Sequence, residues 1–259
     1  MITLTSDFGL KDPYVAEMKG VILTINPDAT LIDITHDIEK FNIRKAAFTL
    51  ASVSPYFPDG TVHLAVVDPG VGTQRRAILI QTKKGFFVGP DNGILILAAQ
   101  NQGIEHVYQL TNKKFMMPKV SSTFHGRDIF APAAAHLEMG VEPLEFGPDV
   151  KDPIVPLFAQ VKYGKGFLTG EVLDVDGFGN IITNINEKHV VCERGKTISI
   201  ELTNAPIKLA FRKTYAQAKG KQPILLIGSH GFLEIALNQA SAAGKFHAKV
   251  GDKIKVSFA

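Results

Sequence analysis

Val62-His63-Leu64-Ala65-Val66-Val67-Asp68-Pro69-Gly70-Val71-Gly72 sets a nearly continuous apolar run against a carboxylate and a glycine-punctuated turn. A strand that is apolar on both faces belongs in a sheet covered by helices on both sides. Residues 2–5, 31–34 and 77–80 read in the same way as 62–67. Between the first two, Val15, Met18, Ile22 and Ile25 recur at spacings of three and four and make one apolar helix face. Asp12 is placed as the N-cap of that helix, with Pro13 at its first position. A second helix is expected from near Ile43, behind Asn42, to Pro55, whose ring cannot continue it far. Strands alternating with helices predict an α/β domain over residues 1–150, a mixed or parallel sheet flanked by helices.

After about residue 150 the helical period fades. Ile198-Ser199-Ile200-Glu201-Leu202 and Ile254-Lys255-Val256-Ser257-Phe258 alternate with period two, as half-buried antiparallel strands do. Asp176-Gly177-Phe178-Gly179-Asn180 separates two apolar runs with turn residues and reads as a hairpin loop. An all-β, barrel-like domain is expected over 157–259. Residues 149–156, with two prolines and three charges, are the expected linker. No internal repeat interrupts either part.

The chain has 259 residues, 45% of them apolar, and a formal net charge of +3. That small charge implies no dominant hold on nucleic acid or an anionic membrane. The halves differ, however: residues 1–155 carry 17 carboxylates against 14 Lys and Arg, and 156–259 carry 8 against 14. Parts of opposite sign can attract one another within or between chains, although scattered surface lysines would give the same count. Cys192 stands alone, so no internal disulfide or paired-cysteine zinc site is available. No window reaches the ~18 apolar residues of a membrane span, and the expectation is a soluble, cytoplasmic protein.

Several polar residues sit where an α/β fold collects ligands. Asp7 follows the first strand, and a carboxylate at that end can accept ribose hydroxyls or simply satisfy a turn. Asp68 ends the buried run at 62–67. Pro69-Gly70 fit the centre of a type II turn that would bring Arg75 back to the carboxylate, as a ligand-facing pair or a structural one. His125 precedes Gly126 and a helical stretch with Ile129, Phe130, Ala133 and Leu137. An imidazole at a helix start is disfavoured in its charged form and suits proton relay, though capping or packing is its commoner use. Asp176, Phe178 and Asn180 could present an acid, an aromatic face and an amide from one loop. Ser229-His230-Gly231 offers backbone N–H groups at a turn. The other histidines show no metal-ligand spacing.

Together, Thr5-Ser6-Asp7-Phe8-Gly9, Asp68-Pro69-Gly70-Val71-Gly72, Thr123-Phe124-His125-Gly126-Arg127-Asp128 and Gly228-Ser229-His230-Gly231 resemble the S-adenosylmethionine hydroxide adenosyltransferase family, relatives of fluorinating and chlorinating enzymes that attack the same substrate. The resemblance implies an N-terminal α/β domain, a C-terminal β-barrel, and a homotrimer with sites between one subunit's N-domain and its neighbour's C-domain. It implies hydrolysis of S-adenosyl-L-methionine to adenosine and L-methionine by water or hydroxide at the ribose C5′, with no metal or cofactor. Asp68, Arg75 and His125 would hold and activate the water. Asp7 would take the ribose hydroxyls and Phe41 would cover the sugar, where relatives have a Trp. Asp12, Asp176, Ser229 and His230 would hold the methionine end, and Asn180, Phe178 and Tyr215 the adenine. Glu234 would be a further polar contact. The halogenating relatives carry Ser where Tyr14 stands, Arg where His230 stands, and an inserted loop that the run from Arg76 to Phe86 has no room for. Alternative expectations are a halide-dependent 5′-halogenase, a non-catalytic adenosine or S-adenosylmethionine binder, and a metal-dependent hydrolase using Asp7, Asp12, Asp68 and His125.

Overall fold

A computed structural model describes residues 1–202, 206–218, 220 and 222–258. The chain divides into two compact units, Met1–Val155 and Pro156–Ala259.

In the first unit the elements are β1 (Ile2–Ser6), α1 (Tyr14–Ile25), β2 (Leu31–Thr35), α2 (Ile43–Val53), β3 (Thr61–Val66), β4 (Ala77–Thr82), β5 (Gly85–Pro90), α3 (Ile96–Gln102), β6 (Ile104–Gln109) and α4 (Ala131–Glu138). The sheet order is β2-β1-β3-β5-β4-β6. β2, β1, β3 and β5 are mutually parallel, whereas β4 runs antiparallel to both β5 and β6. β1 and β3 are buried along their whole length, as their uninterrupted apolar pattern requires. β2 is only half-buried, because it lies at the sheet edge.

The sheet's two faces differ in chemistry. Ile2, Leu4, Val62 and Leu64 join Met18 and Ile22 of α1 and the alanines of α4 in one apolar core. Along the same strands, Thr3 and His63 alternate to the other face, where Thr3 Oγ1 meets His63 Nδ1 at 2.8 Å and the imidazole stacks on Phe87 at 4.9 Å. His63 is therefore a core histidine with a satisfied hydrogen bond. α2 starts where Asn42 predicts: its side chain accepts the Lys45 N–H at 2.9 Å, a cap worth about 1 kcal/mol. α1 starts one residue later than expected. Pro13 occupies the cap position with no side-chain bond, and Asp12 stays exposed in the preceding loop. The Pro13 carbonyl accepts the first helical bond, from the Glu17 N–H at 2.9 Å, so the cap falls on a residue whose ring has no acceptor to offer.

In the second unit, β7 (Lys162–Gly164), β8 (Phe167–Val175), β9 (Ile181–Asn186), β10 (Thr197–Glu201), β11 (Pro206–Phe211), β12 (Ile224–Ile227), β13 (Phe232–Ala236), the short α5 (Ala242–Phe246) and β14 (Lys253–Ser257) follow in order. Seven strands close into a barrel in the order β8-β9-β13-β12-β11-β10-β14, and β14 pairs back onto β8. β7 adds to the outer side of β8 as a hairpin. Closure leaves no free edge among the seven, and alternate residues such as Ile198, Ile200, Ile254 and Val256 point into one core. Among the described residues no helix is long and apolar enough to cross a membrane.

Candidate active site

β1 and β3 are parallel neighbours with Ser6 opposite Val66, so the chain leaves both strands side by side, toward Asp7 and Asp68. The strand order reverses here, since β1 passes to β2 on one flank and β3 continues on the other. This is the switch point at which open α/β sheets form their ligand crevice. A cavity of about 350 Å³ occupies it, lined by Asp7, Phe8, Tyr14, Lys40, Phe41 and Asp68 together with Thr123, Phe124 and His125.

Asp7 is buried, and its Oδ2 accepts the Phe41 N–H at 2.9 Å. Lys40 Nζ donates to the Asp7 carbonyl. Phe41 adopts φ +65° while its ring stays exposed. A left-handed phenylalanine costs roughly 1–2 kcal/mol, which the bond to Asp7 helps to offset. The loop is thereby held with an apolar ring beside a carboxylate.

The turn after β3 brings Arg75 onto Asp68 as its sequence suggests, but by a different route. The Val71 N–H closes a turn onto the Asp68 carbonyl at 3.2 Å, while Gly70 does not have the positive φ of a type II turn. The left-handed residue is Gly72, at φ +76°, and a Cβ there would lie 2.3 Å from the Ser122 carbonyl oxygen. A second turn follows the one at Pro69-Gly70, with the Thr73 N–H on the Gly70 carbonyl at 3.1 Å and Gly72 in its third position, against the loop that leads to His125. Arg75 Nε lies 3.0 Å and 3.1 Å from the two Asp68 oxygens and its Nη2 2.5 Å from Oδ2. The same Nη2 reaches His125 Nδ1 at 2.8 Å. Both members of the ion pair are largely buried, and the Arg75 guanidinium lies over the Phe130 ring at 5.1 Å.

These contacts define the state of His125. Arginine has donors only, so Nδ1 must present its lone pair and the neutral ring carries its proton on Nε2. Burial, and then the adjacent Arg75 cation, hold the imidazole below its ordinary pKa of 6.5. The rest of its motif is structural. Arg127 bonds Asp128 at 2.7 Å and Glu17 at 2.8 Å, its guanidinium covers Phe124 at 5.3 Å, and Asp128 accepts the Ser121 N–H at 2.8 Å. A Cβ on Gly126 would lie 3.0 Å from the Phe124 ring and 3.2 Å from Met18 Sδ, so a side chain fits there only if one of them gives way by a few tenths of an ångström. His125 is thus mounted on a clamped one-turn π-helix, Gly126–Phe130, that runs into α4.

The barrel unit carries its own cavity, of about 690 Å³, lined by Asp176, Phe178, Asn180, Tyr215, Ser229 and His230 and by Leu237, Gln239, Ala240 and Ser241. Asp176 organises its loop: its Oδ1 accepts the N–H groups of Phe178 and Asn180, and its Oδ2 accepts Asn180 Nδ2, each at 2.9 Å. Because a carboxylate only accepts, the Asn180 amide is fixed with its nitrogen toward Asp176. Asn180 Oδ1 has no partner among the described residues. Phe178 is 84% exposed. Tyr215 Oη donates to the buried Glu234 at 2.8 Å, which places Glu234 behind the ring; burial, and secondarily Asp176, push its carboxyl above the usual range. In the Ser229-His230-Gly231 turn, the Gly231 N–H is taken by the Gly228 carbonyl and cannot serve a ligand.

The sequence candidates therefore fall into two constellations, with three exceptions. Asp12 is not among the lining residues of either cavity, Arg75 stands behind Asp68 and His125, and Glu234 stands behind Tyr215. Lys40, Thr123 and four residues of the segment 237–241 line cavities without having been signalled. Gln239, at φ +55°, is the strongest local hint in that segment, visible only in the backbone. Among the described residues no group of three or more His, Cys, Asp or Glu could hold a metal ion, so Asp7, Asp12, Asp68 and His125 do not form one.

Comparison with known proteins agrees along the whole chain. Residues 2–147 match the model of the SAM hydroxide adenosyltransferase N-terminal domain and 170–255 that of its C-terminal domain. A Methanocaldococcus jannaschii protein named (R)-S-adenosyl-L-methionine hydrolase is 38% identical over 100% of this chain and 96% of its own length. A Thermus thermophilus protein of the same name is 37% identical over 97% of both. Proteins named fluorinase match less closely, that of Actinopolyspora mzabensis at 27% over 99% of this chain and 97% of its own. The crystal structure of an uncharacterized conserved protein from Thermotoga maritima superposes with a TM-score of 0.84 at 38% identity, covering 100% of both chains.

Proposed function

The chain belongs to the SAM hydroxide adenosyltransferase family, and from that premise we propose that it is an S-adenosyl-L-methionine hydrolase, releasing adenosine and L-methionine by attack of water or hydroxide on the ribose C5′. The observation that carries the mechanism is the contact of Asp68, Arg75 and His125 beside the β1/β3 crevice.

The leaving group is a neutral thioether departing from a sulfonium, so no acid is needed to release it. The task is to hold a nucleophile close to C5′ and in line with sulfur. The Asp68 carboxylate accepts one proton of the water in a hydrogen bond, and His125 donates from Nε2 to its oxygen, leaving a lone pair for C5′. Arg75 touches no substrate in this reading; it fixes the angle between the two groups that hold the water. The C5′–O bond forms as the C5′–S bond breaks, the electron pair goes to sulfur, and the proton leaves through the network. An anionic nucleophile meeting a cationic centre cancels charge, an attraction that grows in a dry cavity.

Asp7 takes the ribose hydroxyls and Phe41 covers the sugar. In the barrel, Asn180 Oδ1 accepts from the adenine amino group between Phe178 and Tyr215, and Asp176, Ser229 and His230 meet the methionine end, to which the loop before α1 of the facing subunit would add Asp12. A homotrimer would bring one subunit's crevice to its neighbour's barrel cavity. Hydrolysis is preferred to halogenation because Arg76 enters β4 directly and only Lys83 and Lys84 separate β4 from β5, which leaves no place for the inserted loop of the halogenating relatives. Purified protein given S-adenosylmethionine in halide-free buffer is expected to yield adenosine and methionine in equal amounts by chromatography. A requirement for chloride, with a 5′-chloronucleoside as product, would move the chain to the other chemistry.

A further inference from the structure

Three aromatic rings that the hydrolytic mechanism does not use line the crevice of the first unit. Phe8, Tyr14 and Phe124 lie in mutual contact, with centroids 5.5 Å apart for Phe8 and Tyr14, 5.6 Å for Phe8 and Phe124, and 5.1 Å for Tyr14 and Phe124. Phe124 stands edge-on to both, at 78° and 80°, so the three rings present non-parallel walls. They come from different places: the loop after β1, the first residue of α1, and the residue before His125. All three border the same cavity as Asp7, Asp68 and His125. Tyr14 is 44% exposed although it begins a helix whose next apolar residues are buried. A ring serving the core alone would be buried more fully.

Resting on the hydrolase reading, we propose that Phe8, Tyr14 and Phe124 form an aromatic cage for the sulfonium centre of the substrate, and that Phe8 and Tyr14 are the residues by which the enzyme distinguishes a sulfonium from a neutral thioether. Ring faces attract a cation within about 6 Å of the centroid, more strongly where water is excluded. The Arg127 guanidinium already lies over the Phe124 ring at 5.3 Å, so selectivity resides mainly in the other two. A cage of uncharged rings suits this reaction. A carboxylate beside the sulfonium would hold the substrate more tightly, but it would repel the arriving hydroxide and oppose the loss of charge on sulfur. Rings bind the cation moderately and release it once it becomes a thioether. The cage thus assists discrimination and product departure rather than the bond-making step.

The test uses two unreactive ligands that differ at this centre: S-adenosylhomocysteine, a neutral thioether, and the analogue carrying a primary ammonium in place of the methylsulfonium. Dissociation constants for both are measured by calorimetry on the intact protein, wild type and variants. In Tyr14→Leu and Phe8→Leu the preference for the cationic ligand should fall about fivefold each, with affinity for the neutral ligand changed less than twofold. Tyr14→Phe should keep the wild-type preference, since it keeps the ring. An unchanged preference in both leucine variants, or equal losses for the two ligands, would reduce the cluster to packing and overturn the cage, even while the wild type still hydrolyses S-adenosylmethionine. Failure of the wild type to bind either ligand would remove the hydrolase reading and the cage with it.

Discussion

His125 shows how one contact sets the chemistry of a side chain. With Nδ1 receiving a hydrogen bond from Arg75 and burial opposing charge, the ring works only when neutral. Protonation would put a donor against a donor and a cation against a cation. Because its pKa is held below 6.5, the acid limb of kcat/KM should lie below that value, with activity level above it until another group titrates. A pH profile placing the limb above 6.5 would contradict the assignment. His125→Gln should lower kcat at least a hundredfold with little change in KM, because it acts on the water and not on the nucleoside. At this scale much was legible: Asp7, Asp68 and His125 each sit where an apolar run ends or a helix begins, and Arg75 follows a turn that must reverse the chain. What could not be read was orientation. Nothing in the sequence says that the Asp176 carboxylate accepts three hydrogen bonds from its own loop, or that Glu234 stands behind Tyr215, because both depend on partners that only the folded barrel supplies.

At the level of elements, the site depends on loops pressed against one another. Gly72 is the clearest case, with a left-handed backbone and no space before the Ser122 carbonyl. Gly72→Ala would push the 68–75 turn away from the loop that carries His125, loosening Arg75 from one of its two partners. A displacement of about 1 Å in a positioned nucleophile costs on the order of a hundredfold in rate. We expect kcat to fall by that factor while circular dichroism stays native and the melting temperature drops by only a few degrees. Wild-type turnover in this variant would mean that the contact between the loops is incidental. The sequence placed the strands and α2 well, since apolar runs and an Asn cap are local signals. It misplaced the start of α1 and the type of the Asp68 turn, because Pro13 and Gly70 each permit more than one backbone and the choice was made by distant packing. It gave no warning of α3, whose short alanine-rich run carries little period, nor that β4 would lie antiparallel between β5 and β6.

For the molecule as a whole, the α/β and barrel classes followed from the change of period near residue 150, and the structure bears both out. Stability should carry a pH signature from the face of the sheet that buries His63. Burial depresses the His63 pKa from 6.5 to about 4, so the folded chain refuses a proton that the unfolded chain accepts between those values. The stabilisation is present in full above pH 6.5 and is lost as pH falls toward 4, by on the order of 3 kcal/mol. Urea titrations across this range should show that slope, and His63→Gln should flatten it; an unaltered slope would assign the acid sensitivity elsewhere. The central claim, that the buried pair and its histidine deliver a solvent molecule to C5′, is tested most directly by turnover in water enriched with oxygen-18. Mass spectrometry of the released nucleoside should find the heavy isotope in the 5′-hydroxyl at the enrichment of the solvent. Adenosine formed without the label would show that its oxygen came from another source and would contradict the mechanism.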